Sequence, residues 1–187
     1  MKEVKIGKQI WMAENLNVDK FRNGEKIPHP KTVEDWEKAG ENKQPAWCYY
    51  NNDPKNGKKY GKLYNWYAVS DPRGLAPAGW HIPSNKEWTV LTDYLRGEDV
   101  AGTKMKSTYD WSSNGNGTNE SGFNALPGGF LDYDGTLNSI GNKGGWWSSS
   151  ESHTDAAWGR NLGHYSSAVF GGFYDKEGGF SVRCLRD

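Results

Sequence analysis

Cysteine is scarce in this chain: Cys48 and Cys184 are the only two among 187 residues. They permit one disulfide and prove none, with two buried free thiols as the alternative. No apolar run approaches the roughly 20 residues that a membrane-spanning helix needs. There is no block of lysine and arginine, and the formal net charge is zero, so nothing argues for a nucleic acid or an anionic membrane as partner. The first residues, Met1-Lys2-Glu3-Val4-Lys5-Ile6, lack the apolar stretch of a signal peptide. The chain as given therefore reads as cytoplasmic, or as a mature segment with an added methionine. No internal repeat and no linker interrupts it, which leaves one domain spanning 1–187, long enough to bury a core.

What the sequence has in abundance is large rings. Mean hydropathy is −0.91 and only 35% of residues are hydrophobic, yet there are ten Trp and ten Tyr. Disordered chains are poor in aromatics, so this is a folded domain whose core leans on rings. Twenty-four Gly, with many Asn, Asp and Ser, imply turn-rich connections between short strands.

Val4–Ile6 and Gln9–Met12 flank Gly7-Lys8 as a hairpin. A short helix is expected from Thr32, with Asp35 at its capped start and Gly40 as its stop. Asn51–Gly57 reads as loop, while Lys62–Val69 is an apolar run that periodicity leaves open between helix and strand. The clearest local signal is Ser84-Asn85-Lys86-Glu87-Trp88. Ser84 and Glu87 form a capping box, Trp88, Leu91 and Leu95 follow at helical spacing, and Gly97 stops the helix. A second helix is expected within Gly97–Ser107. Beyond Trp111 only strands and turns are read: Phe123–Leu126, Gly129–Tyr133, the turn Asp134-Gly135, Leu137–Ile140, Trp146–Ser149, Ala157–Leu162 and Gly179–Leu185. The last, with Phe180, Val182 and Cys184 alternating with Ser181 and Arg183, is expected to be a half-buried closing strand. Helices in the first half and antiparallel strands in the second make an α+β domain.

Several blocks then carry a resemblance. They are Ile6-Gly7-Lys8-Gln9-Ile10-Trp11-Met12-Ala13-Glu14-Asn15-Leu16-Asn17, Tyr60–Trp66, Pro77–Trp88 with its Gly79-Trp80-His81, Gly122–Gly129, Trp147–Glu151 and Phe180-Ser181-Val182-Arg183-Cys184. In this order, over nearly the whole chain, they resemble the Fibrobacter succinogenes major paralogous domain. That family is abundant in surface and secreted bacterial proteins, and its biochemical role is poorly defined. The ending also resembles the closing strand of the C-type-lectin-like fold of formylglycine-generating enzymes and of the variable proteins of diversity-generating retroelements. The resemblance implies a C-type-lectin-like fold with two helices, short antiparallel strands and long irregular loops. It also implies that the N- and C-terminal strands lie close in space. Many relatives carry Cys shortly before Gly-Trp-His where this chain has Ala76, so a disulfide cannot be carried over.

Candidate chemistry is thin. Acyl, glycosyl or redox catalysis needs a nucleophile beside a base, or two placed carboxylates. His81, between Trp80 and Ile82, reads as a structural histidine bonded to backbone; a catalytic role would need a carboxylate near it. The active-site cysteine pair of the formylglycine-generating relatives has no match, since Cys48 and Cys184 lie in unrelated contexts. Asn51-Asn52-Asp53 and Asn114–Glu120 hold oxygens that could take Ca²⁺, but neither an EF-hand spacing nor a Glu-Pro-Asn triplet is present, and turn chemistry accounts for both. No other cofactor is expected.

What remains is a surface. Asn161–Asp175 mixes rigid aromatics with small adaptable residues, as paratopes do. The expected recognition residues are Ser152, His153, Asp155, Trp158, His164, Tyr165, Ser166, Phe170, Phe173 and Tyr174. Tyr165, Phe170 and Tyr174 should be exposed on one face with Trp158 or His153 nearby; the alternative is a hairpin packing on the core. In retroelement variable proteins, adenine-directed mutagenesis cannot yield Lys, Glu, Gln, Met or Trp. Asn161–Asp175 contains none of these, but neither does Ser121–Asn142, so the test does not discriminate. The expectation is a non-enzymatic binding module, of adhesion or receptor type, for a protein or glycan on a cell surface, located at a cell surface, secreted or on a phage particle. The alternatives are a structural module of a surface assembly and an oxidase of the formylglycine-generating type.

Overall fold

The computed structural model describes residues 2–187. Strands β1 (Glu3–Ile6) and β2 (Gln9–Met12) form the N-terminal hairpin, with Glu3 opposite Met12. Its turn is Gly7-Lys8, where Gly7 takes φ +62°, a value a side chain would strain. The chain then forms β3 (Trp47–Cys48) and β4 (Leu63–Tyr64), which pair with each other, and β5 (Trp80–His81). A second small pair, β6 (Phe130–Leu131) and β7 (Leu137–Asn138), precedes three longer strands. These are β8 (Lys143–Glu151), β9 (Ala156–Gly163) and β10 (Val169–Asp175), hydrogen-bonded in the order β10-β9-β8. The last strand, β11 (Leu185–Arg186), slots between β2 and β5 to give the sheet order β1-β2-β11-β5. The two ends of the chain therefore meet: Leu185 faces Trp11 in register, and Met12 N–H donates to Cys184 C=O at 3.0 Å. The domain is α+β.

The closing segment differs from the half-buried strand expected of it. Only Leu185 and Arg186 join a ladder. Phe180–Cys184 instead threads between the sheets, exchanging backbone bonds with Tyr64, Gly145, Trp147 and Leu16. Every residue from Phe180 to Cys184 is buried, Ser181 and Arg183 included. Polar residues survive there because each has partners, which alternation of polarity alone does not reveal.

Five α-helices are present among the described residues, against the three read from local signals and the two that the resemblance implies. Helix α1 (Val33–Glu41) starts where Thr32 accepts from Asp35 N–H, but it runs past Gly40 and ends at Asn42. Gly40 is buried against Glu177, where a Cβ would lie 2.6 Å from Glu177 Cγ, so its small size serves packing. The Asn51–Gly57 loop is in fact a 3₁₀ turn followed by α2 (Pro54–Tyr60), with Asp53 accepting from Lys55 N–H and Pro54 leading the first turn. Pro is well suited to that position because its missing N–H has no helical partner anyway. The ambiguous run at 62–69 is divided: β4, then α3 (Trp66–Val69), with Asn65 accepting from Ala68 N–H at the junction. Helix α4 (Asn85–Tyr94) carries the full reciprocal capping box of Ser84 and Glu87, and α5 (Glu98–Met105) follows Gly97. Phe123–Leu126 forms no strand; Ala125 makes a single bridge to Lys106.

Three hydrophobic clusters fill the interior. Trp11, Trp88, Trp146 and Trp147 are fully buried. Trp11 and Trp88 lie 4.8 Å apart between ring centroids, and Trp147 stacks on Phe180 at 4.7 Å. Trp88, Leu91 and Leu95 all face inward from α4. At the centre, Asn15 Oδ1 accepts from Trp146 Nε1 and from Arg183 Nε and Nη2, while Asn15 Nδ2 donates to Tyr60 C=O and Ser181 Oγ. One amide thereby links the motif after β2 to β8 and the closing segment. Cys48 and Cys184 are free, buried and in different clusters, so the disulfide alternative is not realised.

Candidate functional site

Strand alternation sorts the residues of the β9–β10 hairpin. Val169 faces Leu162, Gly171 faces Arg160 and Phe173 faces Trp158 on one side; Phe170 faces Asn161 and Tyr174 faces Ala157 on the other. The first side is covered at one end by α4 and α5, where Leu162 and Val169 join the core. At its open end Phe173 meets Trp158 edge-on at 6.2 Å and His153 at 5.2 Å. On the second side Tyr174 leans onto Trp147 and Phe180, and Phe170 stands near Tyr165 with ring centroids 6.5 Å apart.

The second side opens into a concavity of about 480 Å³. Tyr165, Phe170, Phe173 and Tyr174 border it together with Asn161 and Asp175. The facing wall is the β6–β7 hairpin with its flanks: Phe130, Asp132 and Tyr133, with Lys143 from the start of β8. Tyr133 is 62% exposed, Tyr165 64%, Phe173 59% and Phe170 42%. Three large rings this open around one depression, Tyr133, Tyr165 and Phe170, with Phe173 exposed at the border, are more than a monomeric domain ordinarily leaves in water. Asp132 sits between rings and carboxylates: burial, with Asp134 and Asp175 nearby, raises its pKa against the bond it accepts from Asn138 Nδ2 at 2.6 Å. Burial likewise raises the Tyr174 phenol.

The loop carrying Tyr165 is anchored. Buried Lys106 donates from Nζ to Gly163 C=O at 3.2 Å and to Ser166 C=O at 2.9 Å. Thr103 N–H donates to Ser167 C=O, Ser167 Oγ donates to Asp99 C=O, and His164 N–H donates to Asn142 C=O. The turn 152–155 is held in the same manner by buried Lys176, whose Nζ donates to Glu151 and to Thr154 C=O. Both loops thus rest on lysines that spend their hydrogen bonds on backbone or a neighbouring carboxylate, which fixes loop shape before any partner arrives.

The expected recognition residues consequently divide. Tyr165, Phe170 and Tyr174 come together at the concavity, while Phe173 borders it with its ring turned to the opposite side. His153 and Trp158 do not join them, because register turns both to the other side with the Phe173 ring, contrary to the expectation that they flank Tyr165, Phe170 and Tyr174. Ser152 and Asp155 lie in the β8–β9 turn, where Ser152 N–H bonds Ala156 C=O and Asp155 C=O accepts from Lys176 N–H. His164 packs edge-on to Tyr165 at 5.4 Å, and Ser166 Oγ accepts from Ala168 N–H. Tyr174 is half-buried rather than openly exposed, since it lies over Phe180. Phe130, Asp132, Tyr133 and Lys143 were not anticipated. The available signal was Ser121–Asn142, which shares the composition of Asn161–Asp175 and contains part of the facing wall.

His81 also departs from expectation. Its Nδ1 pairs with Asp187 Oδ1 and its Nε2 with Glu87 Oε1, each at 2.9 Å, rather than with backbone. Burial alone would lower its pKa, but the two carboxylates outweigh burial and raise it. The Ser84 hydroxyl donates to Glu87 Oε2, so the carboxylate stands between hydroxyl and imidazole. Burial pushes both thiols, Cys48 and Cys184, up to about 12. Among the described residues no cluster of three His, Cys, Asp or Glu side chains is placed to hold a metal ion, and no helix is long and apolar enough to cross a membrane.

No curated protein and no solved structure matches the chain. The sequence family described as the Fibrobacter succinogenes major domain matches residues 4–186, which contain both the central Asn15–Arg183 network and the walls of the concavity, and the chain belongs to that family.

Proposed function

We propose that this domain is a non-enzymatic binding module of adhesion or receptor type, and that the concavity between the β6–β7 and β9–β10 hairpins is its recognition surface. The observation that carries this reading is the set of exposed rings, Tyr133, Tyr165 and Phe170, held around one depression by loops whose backbone is already bonded. Rigid aromatic area presented at low entropic cost is what recognition uses. The partner is a protein or a glycan on a cell surface. The size and mixed lining of the depression, rings interleaved with Asp132, Asn161, Asp175 and Lys143, suit a glycan best: sugar C–H faces pack on rings while hydroxyls reach carboxylates and amides. The high pKa of both thiols and the engagement of both His81 nitrogens by carboxylates support a binding role over an oxidase. We place the domain at a cell surface, in secreted material or on a phage particle. The joined termini support a C-type-lectin-like architecture, with the segment before the closing strand displaying variable residues.

The test is a glycan array and whole-cell binding assay with the intact chain and with the Tyr165→Ser/Phe170→Ser double variant. Binding by the intact chain, lost in a variant that melts at nearly the same temperature, supports the reading. Binding that survives the double substitution overturns the assignment of this surface.

A further inference from the structure

We propose a second site, distinct from the aromatic concavity: an oxyanion-binding pocket of about 330 Å³ beside the start of the closing segment, with Arg183 at its base and Lys58 at its rim. Lys2, Lys58, Lys59 and Arg183 line it against one carboxylate, Glu14. Two of the lysines are already neutralised locally, Lys2 by Glu14 at 3.1 Å and Lys59 by Asp110 at 2.8 Å. Lys58 and Arg183 make no ion pair among the described residues, so these six groups carry a net charge of +2.

Arg183 is the decisive residue. It is 1% exposed, and every acceptor it meets is neutral: Asn15 Oδ1, Met12 C=O and Phe123 C=O. Those four bonds leave one of its five N–H groups, on Nη2, without a protein partner. A buried guanidinium lacking a counter-ion is costly unless something supplies the opposite charge. Burial pulls its pKa down to about 9, which still leaves it charged at neutral pH. The one carboxylate whose charge reaches it from the lining, Glu14, is tied to Lys2.

The remainder of the lining suits an anion with hydroxyl neighbours. Asn17 and Asn124 each keep one side-chain N–H beyond the bonds they make to Gly57 C=O and Tyr109 Oη, and Tyr109 adds a phenol. Gly61 holds φ +80°, and a Cβ there would lie 2.9 Å from Leu16 C=O, so no side chain can intrude. A carboxylate, sulfate or phosphate group could reach the guanidinium and the Lys58 ammonium together, an arrangement that gives short, strong, charge-assisted bonds. The ligand class is therefore a small molecule or glycan terminus bearing one such group.

The experiment is a ¹H–¹⁵N NMR titration of the intact chain, at constant ionic strength, with four separate probes: sulfate, inorganic phosphate, acetate and glucuronate. Saturable shifts confined to amides of Asn15, Asn17, Gly57, Gly61 and Asn124 are expected with at least one probe, and which probe saturates identifies the anion. Lys58 is exposed, so Lys58→Gln should weaken that probe several-fold and Lys58→Glu should remove its binding, with melting temperature unchanged in both. Shifts that never saturate, that equal those produced by chloride, or that persist unchanged in Lys58→Glu overturn the proposal. Its failure leaves the aromatic concavity untouched, because no residue is shared between the two linings.

Discussion

Two parts of this molecule are built from the same residue types to opposite ends. Around Asn15, Trp11, Trp88, Phe123 and Trp146 interlock with edge and tilted contacts, and Arg183 lies over Phe123. Around the concavity, Tyr133, Tyr165 and Phe170 stand open. Most interior rings have their polar atoms satisfied internally, Trp146 Nε1 by Asn15 and Trp147 Nε1 by Tyr64 C=O, with Trp88 Nε1 as the buried exception. The outer rings have their backbone satisfied but their faces uncovered. An aromatic count cannot separate these roles; what separates them is whether the surrounding hydrogen bonds close over the ring or only over the loop beneath it.

Arg183→Ala tests the interior half most severely. Two carbonyls, Met12 and Phe123, would each lose a charged donor worth about 1.5–3 kcal/mol, so denaturant unfolding should show a loss above ~3 kcal/mol. A loss below ~1 kcal/mol would mean that the guanidinium is not part of the core's hydrogen-bonding scheme. Leu91→Ala follows, at ~2–5 kcal/mol, because Leu91 is fully buried beneath α4. Ser84→Ala should cost ~1 kcal/mol by removing the acceptor at the start of α4, measured as a shift in denaturation midpoint.

The His81–Glu87–Asp187 group sharpens the comparison through pH. A histidine whose pKa is raised on folding stabilises the fold below its ordinary value near 6.5 and loses that contribution as pH climbs through the folded value. Glu87 is half-buried, which would raise its pKa, but bonds from Ser84 and His81 lower it, so its contribution is present above its ordinary value near 4.5. The stability advantage of the intact chain over His81→Gln should therefore be greatest between those two values and shrink toward alkaline pH. A flat difference from pH 5 to 9 would show that the imidazole carries no charge-dependent role.

The strongest local signals in the sequence translated directly: the Ser84–Glu87 capping box with Trp88, Leu91 and Leu95 inward, and Gly7 in the first hairpin. Pairing of the two chain ends was implied by the resemblance to lectin-like domains, with both ends reading as extended. Helix α2 is hidden in the sequence because Asn51–Gly57 is rich in turn formers, and its Asp53-Pro54 start is equally good turn chemistry. The burial of Ser181 and Arg183 was invisible because Asn15, which bonds both, lies 166 and 168 residues away. At the candidate site, the rings of 165–174 could be named from composition, but their division between two faces depends on the β9–β10 register. The facing wall, Phe130 to Lys143, depends on a long-range placement that no local pattern encodes.

The central claim is that the outer rings face a partner while contributing little to the fold. It is tested most directly by measuring, on the same Tyr165→Ser/Phe170→Ser protein, both unfolding free energy and binding to the glycan or cell preparation that the intact chain recognises. The expected result is a stability change within ~0.5 kcal/mol with binding lost. Unfolding of the double variant, or full binding with unchanged stability, would contradict it.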